Sequence, residues 1–505
     1  MNRMKCFTKW AMAIVAVGLA LGWAPTSRAE DKASETAAAQ PAPATSAAAQ
    51  PAAAQPTSDQ RLEELEKEVT LLEQEIASLK TDSEAAMKTA ALVEPAGEQD
   101  ATKTDTTPKV SIASLLGPVT LSGFGDVYYG YDYNHPGNNL SPLRFFEAPT
   151  NGFNFNMAEL ILDKAPDATS ADSRLGYHIS AGYGQAAKIV NGSDSVFGDG
   201  SNFFVKEAYL SYLAPVGKGL TVTVGKFVTN AGAEVIESNA NWNYSRSLLF
   251  YYAIPYFHFG AKAAYTFNPK WSVNVSLVNG WNNTNINHTS GGNGSNLTYG
   301  GSVTYTPTMK WSVIENYYAG PVIDASFFNG NQTINDWKQL SDTVIGYTPN
   351  TKWAFQVNGD YGFGPRQYSC PDTVTGGATV EPQGFVTGCK TFGPQATWWG
   401  VAGYAKYTLS PKTNFAVRYE YYEDPQAYTG LIVDPFDGAT GFPGHAQEVT
   451  GTYSYNLTSA LLVRGEYRYD FASLPVFMKG PSDSVKEQNT AYISFVYSFS
   501  SANMK

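Results

Sequence analysis

Charged residues alternate with aromatic and small ones in two stretches near the end of the chain. Arg418 and Glu420 are separated by Tyr419, and Arg464, Glu466 and Arg468 by Gly465 and Tyr467. In extended chain, successive side chains point to opposite faces, so these charges share one face. Lys262 and Lys406 fall on the polar parity of their own stretches. Such a face does no covalent chemistry. Bordering water, opposed charges set up a transverse field that orients polar solutes. Bordering nothing, the arginines and glutamates form self-neutralising ladders that only stiffen a wall. Both readings stand on the sequence.

A second group lies in residues 229–255, too long for a hairpin turn and in places too apolar for a free surface loop. Asn239, Asn241, Tyr244 and Arg246 give this segment hydrogen-bonding reach. It is expected to constrict a lumen, or else to pack over a rim. Enzyme chemistry is not expected. Neither Gly-x-Ser-x-Gly nor His-Glu-x-x-His occurs, and His135, His178, His258, His288 and His445 are scattered without ligand spacing. No catalytic residue, metal or cofactor is assigned.

The elements that carry these groups show in a repeat. Tyr265-Thr-Phe-Asn-Pro-Lys-Trp271, Tyr305-Thr-Pro-Thr-Met-Lys-Trp311, Tyr347-Thr-Pro-Asn-Thr-Lys-Trp353 and Tyr407-Thr-Leu-Ser-Pro-Lys-Thr413 recur, with a looser copy at Tyr453-Ser-Tyr-Asn-Leu-Thr-Ser459. Each is a tight polar turn with aromatic or hydroxyl edges, set between period-two stretches. That is the pattern of a transmembrane β-barrel with an aromatic girdle at its short-turn end. Trp353, Phe355, Val357, Gly359 and Tyr361 oppose Gln356, Asn358 and Asp360. Leu461, Val463, Gly465, Tyr467 and Tyr469 oppose the Arg464–Arg468 face. A soluble core would be dominated by Val, Ile and Leu, whereas a lipid-facing band carries aromatic anchors at its edges. Glu315 sits on the apolar parity and Leu340–Tyr347 is mixed, which points to a bulge or a subunit interface. About 16 strands are counted, with 14 or 18 as the even-numbered alternatives, enough for an aqueous lumen.

Composition agrees with strands: 16% charged residues is low, and 32 Tyr, 27 Phe and 46 Gly are many. The net charge of −11 argues against nucleic acid. Residues 1–29 read as a signal peptide, with Arg3, Lys5 and Lys9 before an apolar run and Ser27-Arg28-Ala29 as cleavage site. Residues 30–58 are an Ala/Pro-rich disordered linker. In 59–92, Leu62, Leu65, Val69, Leu72, Ile76 and Leu79 follow a 3,4 spacing, a short coiled coil that needs a partner. Residues 93–118 are a polar linker and 119–505 the barrel. Cys370 and Cys389, in one polar stretch of an exported chain, are expected to form a loop disulfide, with two free thiols the alternative.

Several stretches resemble the β-barrel porin-2 family, the OmpL-like outer-membrane porins. They are Ser122-Gly-Phe-Gly-Asp126, Gly225-Lys-Phe227, Ala233-Glu234, Asn241 to Arg246, Ile254-Pro-Tyr-Phe-His258 with Gly260, and Val278-Asn-Gly280. The resemblance covers roughly 115–500 and implies a passive outer-membrane channel without catalytic residues. The expectation is therefore an all-β barrel porin for small hydrophilic solutes and ions, homo-oligomeric (dimer or trimer) through barrel and coiled coil, in outer-membrane lipid, with the helix in the periplasm. The alternative is structural: a barrel anchoring a helix that grips peptidoglycan or another envelope protein, or an adhesin acting through long loops.

Overall fold

Strand after strand places an apolar residue every second position, and the chain resolves that pattern by closing on itself. The computed structural model describes residues 119–190, 202–284, 294–323 apart from 296, 335–366, 395–436, 438 and 441–503. The expected signal peptide, both linkers, the coiled coil, Cys370 and Cys389 lie outside the described residues.

Sixteen antiparallel strands form one barrel: β1 (Thr120–Asp132), β2 (Gly152–Lys164), β3 (Leu175–Tyr183), β4 (Phe203–Ala214), β5 (Leu220–Val228), β6 (Phe257–Asn268), β7 (Trp271–Val278), β8 (Thr298–Thr308), β9 (Trp311–Ile323), β10 (Asn335–Tyr347), β11 (Trp353–Arg366), β12 (Gln395–Ser410), β13 (Thr413–Asp424), β14 (Gly444–Asn456), β15 (Leu461–Ala472) and β16 (Glu487–Ser500). Each pairs with its neighbours in sequence, and β1 pairs with β16 from Ser122↔Ser500 to Asp132↔Thr490, which removes the sheet edge. A closed barrel satisfies every backbone group between strands, the condition for β-structure in lipid.

The repeated turns explain themselves. The Thr amide of one repeat donates to the Lys carbonyl of the repeat before it: Thr306 to Lys270, Thr348 to Lys310 and Thr408 to Lys352, each at 2.8 Å. The Trp closing one repeat is registered against the Tyr opening the next. Trp271 stacks on Tyr305 and Trp311 on Tyr347, both at 4.2 Å, and Trp353 meets Tyr407 at 4.6 Å. Within turns, Asn268 and Asn350 side chains accept the amides two and three residues on. The motif therefore fixes hairpin register and builds a continuous aromatic edge.

The outward face is greasy. Leu160, Leu210, Val224, Val275 and Ile493 are all more than half exposed. The buried core is inside the barrel instead. Leu143, Phe146, Ile236, Leu248, Leu249, Phe250, Ala253 and Ile254 pack there against Leu340, Trp398, Tyr404 and Tyr422 of the wall. This accounts for the mixed pattern of β10. Its inward Leu340 and Val344 meet chain rather than water, and its outward Ser341 and Thr343 hold Glu315. A register irregularity does occur on β9, against β8 between Trp311 and Val313, but it leaves Trp311, Val313 and Glu315 on one outward file, and β9 and β10 run in unbroken register past Glu315↔Thr343.

Candidate functional site

Between β5 and β6 the chain does not turn back at once. Residues 229–256 fold into the lumen, where Tyr244, Arg246, Leu248 and Leu249 are fully buried. Irregular backbone so enclosed has no ladder to satisfy its N–H and C=O groups, and each group left bare costs free energy. The charged faces of β13–β15 supply the partners.

The wall acids accept amides. Glu466 takes the amides of Tyr244 (2.6 Å) and Ser245 (2.9 Å), and Glu420 those of Leu248 (2.6 Å) and Leu249 (3.2 Å). The wall arginines donate to carbonyls. Arg464 reaches Ser238 O (2.5 Å) and Asn241 O (2.7 Å), Arg418 reaches Ser245 O (2.7 Å), and Arg468 reaches Arg246 O (2.6 Å). Arg418 also pairs with Glu234 of the segment (2.6 Å) and Glu448 of β14 (2.5 Å). Charge-assisted bonds of this kind are the strong ones.

Two further surfaces complete the clamp. On β1, Asp126 accepts from Ser238 Oγ (2.8 Å), Tyr244 Oη (3.1 Å) and Asn156 Nδ2 (2.7 Å). From the connection 133–151, Glu147 accepts the Arg246 amide (2.9 Å) and its guanidinium (3.3 Å) and the Tyr251 hydroxyl. Arg144 from the same connection forks onto Asp470 (3.0 and 2.5 Å). Burial works against the Arg246 charge and is the largest single influence on it, but Glu147, Tyr251, Asp126 and Tyr244 together outweigh it and hold its pKa above the ordinary guanidinium value.

The structure thus brings Arg246, Arg418, Glu420, Arg464, Glu466, Arg468, Asn241 and Tyr244 together. They meet as a buried network between wall and segment rather than as side chains standing in open water. Asn241 bonds Val235 through both main-chain groups (2.8 and 2.9 Å), folding the segment on itself. Asn239 stands apart, exposed, donating to Ser498 Oγ (3.0 Å). Lys406 lies 4.6 Å over the ring of Trp242, a segment residue, and Lys262 lies 4.5 Å over Phe227. Sequence reasoning named Asp126 and Glu234 only within the family-like stretches and missed Arg144, Glu147, Glu448 and Asp470. Glu448 and Asp470 shared the inward parity of their strands and were findable. Arg144 and Glu147 sit in irregular chain that carries no periodic signal.

The filling is one-sided. Inward positions of β13–β16 such as Arg418, Glu420, Thr450, Thr452, Arg468 and Thr490 are sealed. On β6–β8, Lys262, Ser272, Asn274, Ser276 and Thr304 keep partial exposure, while His258, Thr298 and Ser302 are buried.

The stretches that suggested a family all lie on this architecture, and the match is explicit. Residues 118–499 match the family described as "Putative beta-barrel porin-2, OmpL-like", and the chain belongs to that family. It is an outer-membrane porin, a channel-forming barrel. No curated protein is significantly similar in sequence. Among solved structures, the chain is similar to OprB of Pseudomonas putida (11% identity, TM-score 0.45, 76% of this chain and 94% of that one). It is also similar to an anion-selective porin from Comamonas acidovorans (11%, 0.44, 76% and 99%) and to a loop-deleted OmpT, an outer membrane protein of Vibrio cholerae (12%, 0.43, 76% and 99%).

Proposed function

We propose that residues 229–256 are the fixed constriction of this porin, and that small hydrophilic solutes and ions pass between that segment and the β6–β8 wall. The observation that supports it is the one-sided filling of the lumen. The segment is bound along β13–β15 by alternating acids and arginines, while on β6 and β7 Lys262, Ser272 and Ser276 keep partial exposure and Asn274 meets the segment through Asn230 Nδ2 (3.2 Å). A pore discriminates by its narrowest ring and the charges along it. On this reading the Arg–Glu ladder is scaffolding, and the ions crossing the pore meet Lys262 and the hydroxyl and amide groups beside it.

The test is conductance in planar bilayers under a salt gradient. Replacing Asn239–Ser247 by a short Gly-Ser bridge is expected to enlarge the single-channel step and weaken ion selectivity. An unchanged step removes the segment from the constriction.

The homo-oligomer, the periplasmic coiled coil of residues 59–92 and the Cys370–Cys389 disulfide belong to the same proposal. Deleting residues 30–110 separates transport from tethering. Pore activity that survives while envelope integrity fails would make the tether the main role of the N-terminal region.

A further inference from the structure

One group on the outer wall does not suit lipid. Glu315 of β9 points outward, in the same file as Trp311 and Val313. Its carboxylate accepts from Ser341 Oγ (2.7 Å) and Thr343 Oγ1 (2.5 Å) of β10, and one row further Tyr317 Oη donates to Gln339 Oε1 (2.6 Å). Three consecutive outward rows of this strand pair are therefore polar. Their flanks are lipid-type: Val303 on β8 and Val357 on β11 are 40% and 46% exposed.

Depth makes the group informative. Glu315 is four residues above Trp311 of the aromatic edge. At about 3.4 Å per residue and a tilt of about 40°, it stands roughly 10 Å inside a band about 25 Å tall. Among the described strand residues, the other outward carboxylates, Glu423 and Glu487, sit at the long-loop ends of β13 and β16. A water or headgroup partner reaches those and does not reach Glu315.

From this placement we infer that the outer face of β9–β10 is a contact between copies of this chain, with the Glu315–Thr343 rows at the symmetry axis. The inference rests on the membrane-spanning reading of the barrel. A second copy fits because it carries the same polar rows at the same depth, so the mismatch with lipid is relieved on both partners at once. The patch also holds both kinds of group needed to pair with itself. Glu315 retains acceptor capacity, and the Gln339 side-chain amide carries two N–H donors in addition to the oxygen that Tyr317 uses. Two glycines flank the rows, Gly301 across from Tyr317 and Gly359 across from Thr343. A Cβ at Gly359 would meet nothing within 4 Å, and one at Gly301 only Asn274 O at 3.9 Å, so the protomer leaves open space at both, as it does at the outward Gly403 and Gly465.

That open space gives the test. In full-length protein with Cys370 and Cys389 changed to Ser, Thr343→Cys is oxidised in native outer membranes, with Val224→Cys on the apolar far wall as control. A disulfide-linked dimer of this chain at Thr343 and none at Val224 is expected. Second, Gly359→Trp is expected to lower the apparent mass in detergent to that of one barrel while single-channel conductance persists, because the protomer has room for the ring. No linkage at Thr343, linkage to a protein of another mass, or an oligomer undisturbed by Gly359→Trp overturns the inference. In those cases a retained conductance leaves the channel reading standing. Failure to insert into membranes would remove both.

Discussion

Glu466→Ala isolates what the wall ladder does. Its carboxylate takes two buried backbone amides, Tyr244 and Ser245, and the Thr452 hydroxyl at 2.6 Å. Hydrogen bonds to a charged group are worth about 1.5–3 kcal/mol each, so the two backbone bonds together contribute about 3–6 kcal/mol to holding the segment. Water entering the space vacated by the side chain recovers part of this, leaving about 2–3 kcal/mol. At about 1.4 kcal/mol per decade, the open segment becomes about thirty- to about a hundredfold more populated. Hydrogen exchange in detergent micelles reads this directly. Protection of the Tyr244 and Ser245 amides falls by that factor, while the β1–β16 ladder keeps its own. Single-channel traces gain open-state noise for the same reason. Unchanged protection at 244–245 would refute the clamp, and an equal loss across all strands would show that Glu466 supports the barrel rather than the segment.

Three further outcomes follow from the same geometry. Lys262→Gln removes a charge from the free side of the lumen; at roughly 8 Å in water a unit charge attracts an anion and repels a cation by about 0.5 kcal/mol each, so the anion-to-cation permeability ratio falls about fivefold, and a reversal potential that does not move towards cation preference excludes Lys262 from the passage. The Trp311–Tyr347 stack predicts a coupling of about 1 kcal/mol in a double-mutant cycle on thermal unfolding, and strict additivity would show that the rings act only as separate lipid anchors. Asp167, on the short turn between β2 and β3, has its carboxyl lowered to about 2 from 3.8 by the hydroxyls of Ser173 and Thr169. Its pKa is depressed on folding, so its contribution is present above the unfolded value and is lost as pH falls from about 4 towards 2. Carbon-13 titration should show the Asp167 midpoint rising in Ser173→Ala, and a midpoint still near 2 would reject that hydroxyl as the cause.

The barrel was legible because lipid imposes one rule on every strand. Alternation gave a count of about 16, and sixteen strands close the barrel. The long-loop ends were the least legible: β9 runs to Ile323, β10 begins at Asn335 and β11 runs to Arg366. Beyond the lipid band nothing forces period two, so sequence alone did not mark where pairing stops. The site was legible by composition and not by environment. Arg418, Glu420, Arg464, Glu466 and Arg468 stood out as one inward face, yet an inward charged face suits water and suits irregular backbone equally well. The deciding sign lay elsewhere, in Leu248-Leu249-Phe250, an apolar run inside a segment otherwise rich in Asn and Ser. Such residues belong neither on an external loop nor in an open bore, and they are buried here against Trp398 and Tyr422.

The residues that carry the family resemblance acquire a common physical role. Asp126 of the first strand binds Ser238 and Tyr244. Glu234 accepts the Ser247 amide at 2.6 Å and the Arg418 guanidinium. Gly225, at φ +135°, lies where a Cβ would stand 2.3 Å from Ala208 O, just before the chain leaves the wall. His258 bonds Gly280 O at 3.0 Å where the chain returns to it. Each of these groups enters, fixes or leaves the in-folded segment, and the greasy outer staves contribute none of them. A barrel needs only alternation, which countless sequences satisfy, whereas an irregular segment held inside one needs a specific partner for each bare amide and carbonyl. The clamp is therefore the part of this chain under the tightest chemical constraint. The β6–β8 side, whose serines and asparagines make few such bonds, is where substitutions can retune solute preference without loosening the fold.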